Sequence, residues 1–358
     1  MTPVTPVTAP IDLLVDWELA ARTAALFGRP GPQIPAAQAA EVVSDLRTAA
    51  SVATDHVATV SRMLARPGDG VLVVDRAGWS RANSRAFRTM LAPVVAETFD
   101  KRGRLPSPGL AAVGSRVTGA EVGSLLGFLS SRVLGQYDPF SPGGGRLMLV
   151  APNVVAVEAQ LEVSPADFRL WVCLHEETHR VQFTATSWLA EHLLGEIRGL
   201  AGDLMAEPSQ LADRLGDAVR ALPDLIRGTG SPMPLLDAVQ SPEQRARLAR
   251  LTAVMSLLEG HADVVMDAVG PEVVPTVSTI RERFQARRAG RGMIDQLLRR
   301  LLGLDAKMRQ YADGARFVRA VTEQVGTEGF NAVWTSPDTL PQPAEIADPI
   351  TWVRRVHG

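Results

Sequence analysis

Along residues 12–64 apolar positions recur at the three-to-four spacing of amphipathic helices, with one break at residues 28–35, rich in Gly and Pro. The turn Pro67-Gly68-Asp69-Gly70 leads into a short apolar run, Val71-Leu72-Val73-Val74, which reads as a strand. Helical patterning returns over residues 80–99, and residues 101–109 read as a loop and as the best domain boundary. Residues 118–135 read as a buried helix whose Gly119, Gly123 and Gly127 are spaced for close helix packing. The run RLMLV at 146–150 reads as a second strand, ended by Pro152 and Asn153. Ser164, followed by Pro165 and Asp167, marks the start of a helix expected to run through Arg180. Ser241-Pro242-Glu243-Gln244 repeats that signal before a helix reaching about Val269, and further helical stretches fall near 292–311 and 313–325. The tail at 335–349 reads as Pro-rich loop, and residues 1–10, MTPVTPVTAP, as a loose arm. The pattern predicts a mainly α fold, α+β in the sense that it holds a few short strands.

Composition narrows the function classes. The chain has 358 residues, 46% apolar and 21% charged, with a formal net charge of −2. Those are the proportions of a globular domain, and the charge argues against a dedicated nucleic-acid binder. The lone Cys173 excludes an intrachain disulfide and a cysteine-based metal cluster. No uncharged apolar run reaches the roughly 18 residues of a membrane span. Asp12 precedes the first arginine, Arg22, the reverse of a secretory leader, so the expected location is the cytoplasm. The loop at 141–145, SPGGG, lacks the Lys-Ser/Thr of a phosphate-binding loop.

The chemistry is concentrated in His175-Glu176-Glu177-Thr178-His179, an HExxH sequence inside a predicted helix. Residues four apart share a helix face, so the two imidazoles can bind one Zn²⁺, and Glu176 can reach the attacking water as general base. With 6 histidines in the chain, random order would produce about 0.005 such matches. Zinc needs a third protein ligand. The metzincin pattern fails, because Ala185 stands where its histidine would be and Gln182 where its glycine would be. Glu196 is near the gluzincin spacing but out of step with it. A better candidate is Glu259, in an otherwise apolar helix, where an unpaired carboxylate would cost several kcal/mol and a metal would satisfy it. Asp263, four residues on, can accept the second ring N–H of a ligand histidine. Gly260 would give room for close approach to the HExxH helix. His261 lies about 200° round the helix from Glu259 and does not share its face.

HEETHRVQF followed by EGHAD resembles the zincin-like metallopeptidase type 2 family of actinobacteria and relatives. Other segments agree with it: VLVVDRAGW, SSRVLGQYDPF, LMLVAPNV, LGLDAKMRQYADGARFVRAV and FNAVWTSPDTLP. The resemblance covers nearly the whole chain, and one branch of that family is associated with biosynthesis of a deazaflavin coenzyme. It implies a zincin-like core with His175, His179 and Glu259 as Zn²⁺ ligands and Glu176 as base. The expected division is an arm at 1–10, a helical region with a short strand at 11–105, and a zincin-like metal-binding domain at 106–358.

Peptide hydrolysis also needs a donor for the oxyanion. Tyr311 is the first candidate, since it follows the metal helices, and Tyr137 the second; both sit among polar residues. The favoured expectation is a zinc-dependent hydrolase, a metallopeptidase acting on a peptide or protein. The alternatives are a catalytically silent zincin-fold protein kept for interaction or regulation, and an accessory factor in deazaflavin coenzyme metabolism.

Overall fold

The computed structural model describes residues 9–66, 70–102, 108–141, 145–206, 241–289 and 304–358. Most of them are helical, and the strands form one small sheet. The chain divides into two compact units, Met1–Asp55 with Arg66–Arg180, and His56–Ala65 with Val181–Gly358.

The first unit opens with a single 3₁₀ turn, Pro10–Leu13, and α1 (Trp17–Phe27), capped by the Asp16 side chain accepting from the Leu19 amide. It continues with α2 (Ala36–Ser61), which runs on into the second unit, β1 (Leu72–Val74), α3 (Arg76–Arg102) and α4 (Pro108–Ser130). The glycine stripe of α4 packs on α1. A Cβ at Gly119 would lie 2.5 Å from the Asp16 carbonyl, and one at Gly127 would lie 2.9 Å from that of Ala24. β2 (Gly135–Asp138), β3 (Arg146–Val150) and α5 (Ala151–Leu161) follow, and then α6 (Pro165–Ala185), which carries the HExxH sequence and runs on into the second unit after Arg180. The sheet order is β1-β3-β2, with β1 parallel and β2 antiparallel to β3. β3 is central, which explains its unbroken apolar run: Leu147, Met148, Leu149 and Val150 are all buried.

Two local signals take their meaning from the fold around them. β3 ends just before Pro152 and Asn153, as the sequence marks, and these two residues sit in the first turn of α5. Proline in a first turn loses no hydrogen bond, and the buried Asn153 amide donates to the carbonyls of Ser130 (2.7 Å) and Val133 (2.6 Å). The polar run GQYD forms β2. Its Gln136 points at α3, accepting from Trp79 Nε1 (2.7 Å) and pairing with the Asn83 amide, so the polarity is internal.

The second unit contains α7 (Leu189–Ala206), α8 (Pro242–Val269), α9 (Val277–Ala289) and α10 (Leu304–Phe330). Its C-terminal part adds α11 (Pro343–Ala347) and α12 (Pro349–His357). Ser241 and Gln244 form a reciprocal capping box at the start of α8, where the sequence marks one. The 335–349 tail is less of a loop than expected: 3₁₀ turn Pro337–Thr339, α11 and the start of α12 each have proline in the first turn. Gly260 approaches α10, not the HExxH helix. Side chains at Gly260 or Gly314 would run into the other helix's backbone, so the two helices cross in direct contact. Among the described residues no helix is long and apolar enough to cross a membrane. The helix expected near 292–311 falls largely on 290–303, and most of the boundary loop on 103–107, outside the described residues.

The first unit is braced by Arg169 on α6. Its guanidinium holds Glu158 of α5 with two bonds (2.7 and 3.0 Å) and reaches Asp45 of α2 (2.6 Å). Glu158 is 7% exposed at its side chain. Arg169→Leu should therefore cost about 3–5 kcal/mol in chemical denaturation, because it strands a buried carboxylate. Pairing it with Glu158→Leu should recover most of that loss. An unchanged midpoint in the single variant would show the pair to be unimportant.

Candidate metal centre

The His175 and His179 rings project from one face of α6, with ring centres 4.7 Å apart and planes at 88°. Their Nε2 atoms are 3.1 Å apart. Two zinc-bound nitrogens at ~2.0–2.1 Å and a tetrahedral angle would be about 3.3 Å apart, so the helix spacing fits a shared ion. Glu259 projects from α8. One ligand atom each from His175, His179 and Glu259 lies within 4.8 Å of the other two, and all three residues are half-buried. Two neutral imidazoles and a carboxylate are the donor set of a zinc site that keeps a position open.

The other faces of α6 hold it still. Cys173 is fully buried with its Sγ 3.8 Å from the Leu46 carbonyl, and burial pushes its thiol pKa well up. It is a packed small residue, not a nucleophile. Glu177, 1% exposed, pairs with Arg180 (2.6 Å), which also donates to Thr54 (3.1 Å). Burial raises the Glu177 pKa against the opposing pull of Arg180 and Thr54. The two adjacent glutamates thus differ in kind: Glu177 ties α6 to α2, while Glu176, about 100° round the helix, faces β2. A Cβ at Gly135 would lie 2.5 Å from Glu176 Cγ and 2.8 Å from its Oε1, so only glycine leaves the carboxylate where it is. Glu176 is 6% exposed.

In the second unit Gln182, fully buried, donates to the Leu258 carbonyl (2.9 Å) and to His261 Nδ1 (3.0 Å). His261 sits against Phe330 and Trp334, each ring centre 5.3 Å away. It is a structural histidine, as its position on α8 suggests. Asp263 is half-buried one turn beyond Glu259, and its backbone carbonyl accepts from Arg281 (3.3 Å). Glu196 is paired with Arg250 (3.0 Å) and Arg247 (3.5 Å).

Tyr137 is 9% exposed on β2, two residues from Gly135 and so on the same side of the strand. Its pKa is raised, first by burial, then by the charges of Asp138 and Glu177, with Arg180 opposing. The hydroxyl therefore stays protonated and able to donate. Tyr311 belongs to α10, but its side chain lies outside the described residues. The reading of the sequence missed Gly135 and Gln182. The second was visible only as a departure from the metzincin glycine.

The sequence profile of the zincin-like metallopeptidase family matches residues 15–353. A crystal structure of a candidate hydrolase with a novel fold, from Chloroflexus aurantiacus, is 32% identical over 96% of this chain and 99% of its own, with a TM-score of 0.68. No curated protein matches the chain.

The contact at Gly135 is testable. Gly135→Val should displace the Glu176 carboxylate and lower kcat/KM for hydrolysis by about 10–100-fold, less than the ~10²–10⁴-fold that a fully placed general base contributes, with metal content unchanged. Full activity in that variant would show that β2 does not position Glu176.

Proposed function

Because the chain belongs to the zincin-like metallopeptidase family, we propose that it is a zinc-dependent hydrolase of peptide bonds, with His175, His179 and Glu259 as ligands. The observation that carries this reading is the convergence of two imidazole nitrogens and one carboxylate oxygen within 4.8 Å. Zn²⁺ held there supplies a Lewis acid that polarises a carbonyl and eases deprotonation of water. Glu176 takes the proton of the attacking water and passes it to the leaving amine. Its burial beside Gly135 keeps the carboxylate on one heading through both transfers. Asp263 accepts the remaining ring N–H of a ligand histidine and fixes its orientation.

The substrate is an extended peptide or protein segment. β2 lies at an edge of the three-stranded sheet, and an edge strand offers backbone groups to an extended chain. Tyr137 on that strand is the oxyanion donor favoured by its buried, protonated hydroxyl. Tyr311 is the second candidate for that role. The buried free thiol of Cys173 suits a cytoplasmic location.

Glu176→Gln keeps size and hydrogen bonding but takes no proton. It should retain stoichiometric zinc and lose at least about 100-fold in hydrolysis of any peptide selected from an unbiased library. Wild type that holds zinc yet cleaves nothing in that library would replace this reading with a silent, binding role for the fold.

A further inference from the structure

We propose that Gln182 is a positioning residue for the third metal ligand: its buried carboxamide fixes the rotation of α8 and thereby the direction in which Glu259 leaves it. This rests on the zinc-centre reading above. Gln182 follows His179 by one helical turn, so 175, 179 and 182 form one stripe on α6. Its two amide hydrogens go to Leu258 (2.9 Å) and His261 (3.0 Å), the residues one before and two after Glu259.

Each residue around Glu259 is tied. Leu258 is held through its carbonyl, Gly260 by backbone contact with α10 at Gly314, and His261 by Gln182 together with the Phe330 and Trp334 rings. A slip of α8 by one residue would swing Glu259 by about 100°. The Leu258 carbonyl and the His261 nitrogen lie on the side of α8 that faces Gln182, so the clamp works only in the observed rotation. A residue of similar length without the amide, such as methionine, fills the space and leaves His261 Nδ1 buried without this donor.

The test is a double-mutant cycle read as zinc affinity, by competition with a chromogenic chelator, beside the unfolding midpoint of each metal-free protein. Gln182→Met should weaken zinc binding by about 10–100-fold, the range for groups that orient a ligand. In a Glu259→Gln background the same change should alter affinity by no more than about twofold, because its route to the metal is gone. A purely structural role would weaken binding equally in both backgrounds, and that result overturns the inference, as does unchanged affinity in Gln182→Met alone. If Gln182→Met does not fold, His261→Phe runs the same cycle, keeping a ring in the cage and removing the Nδ1 acceptor. Wild type that binds no zinc overturns the underlying reading instead.

Discussion

Two imidazole nitrogens 3.1 Å apart on one helix face set lone pair against lone pair unless a proton or a cation lies between them. The helix backbone keeps the two Cβ atoms about 5–6 Å apart, and the side-chain rotamers turn the ring nitrogens toward each other. A site of this kind works only if the helix is rigid and its remaining faces are satisfied by the rest of the fold. Much of the structure reads as a response to that demand. In the first unit Arg169 ties α6 to α5 and α2, the Glu177–Arg180–Thr54 bonds tie it again to α2, and Cys173 packs against Leu46. In the second unit the last turn of α6 is bonded to α8 through Gln182.

The same demand separates the carboxylates. Glu158, Glu177 and Glu196 are all paired with arginine, and Arg169, Arg180, Arg247 and Arg250 account for their charge. Glu176 and Glu259, the acids proposed for chemistry, lie elsewhere: the first against a glycine of β2, the second with a carboxylate oxygen within 4.8 Å of a nitrogen of each histidine.

What the sequence makes legible is what is local. The capping box before α8, the Ser164 start of α6 and the four-residue histidine spacing each lie within a few residues, and each appears in the structure where the pattern puts it. The mainly α class follows from the same periodicities. The less legible features depend on partners far along the chain. The polarity of GQYD acquires a role only when Trp79 and Asn83 are seen to take Gln136. Gly260 looks like clearance for the HExxH helix until Gly314, 54 residues on, is seen against it. Gln182 looks like a failed metzincin glycine until Leu258 and His261 are seen to accept from it. Proline misleads in another way: at Pro337 and Pro343, in the tail that reads as loop, it opens a turn or helix, and the residues around it decide which reading wins.

The central claim is that His175, His179 and Glu259 hold one zinc ion. Diffraction at the zinc absorption edge from zinc-loaded crystals tests it most directly. A single anomalous peak is expected about 2.0–2.1 Å from both histidine Nε2 atoms and about 2.0–2.2 Å from a Glu259 carboxylate oxygen. Zinc-saturated protein with no peak at the histidine pair, or with a peak there completed by a residue other than Glu259, would contradict it.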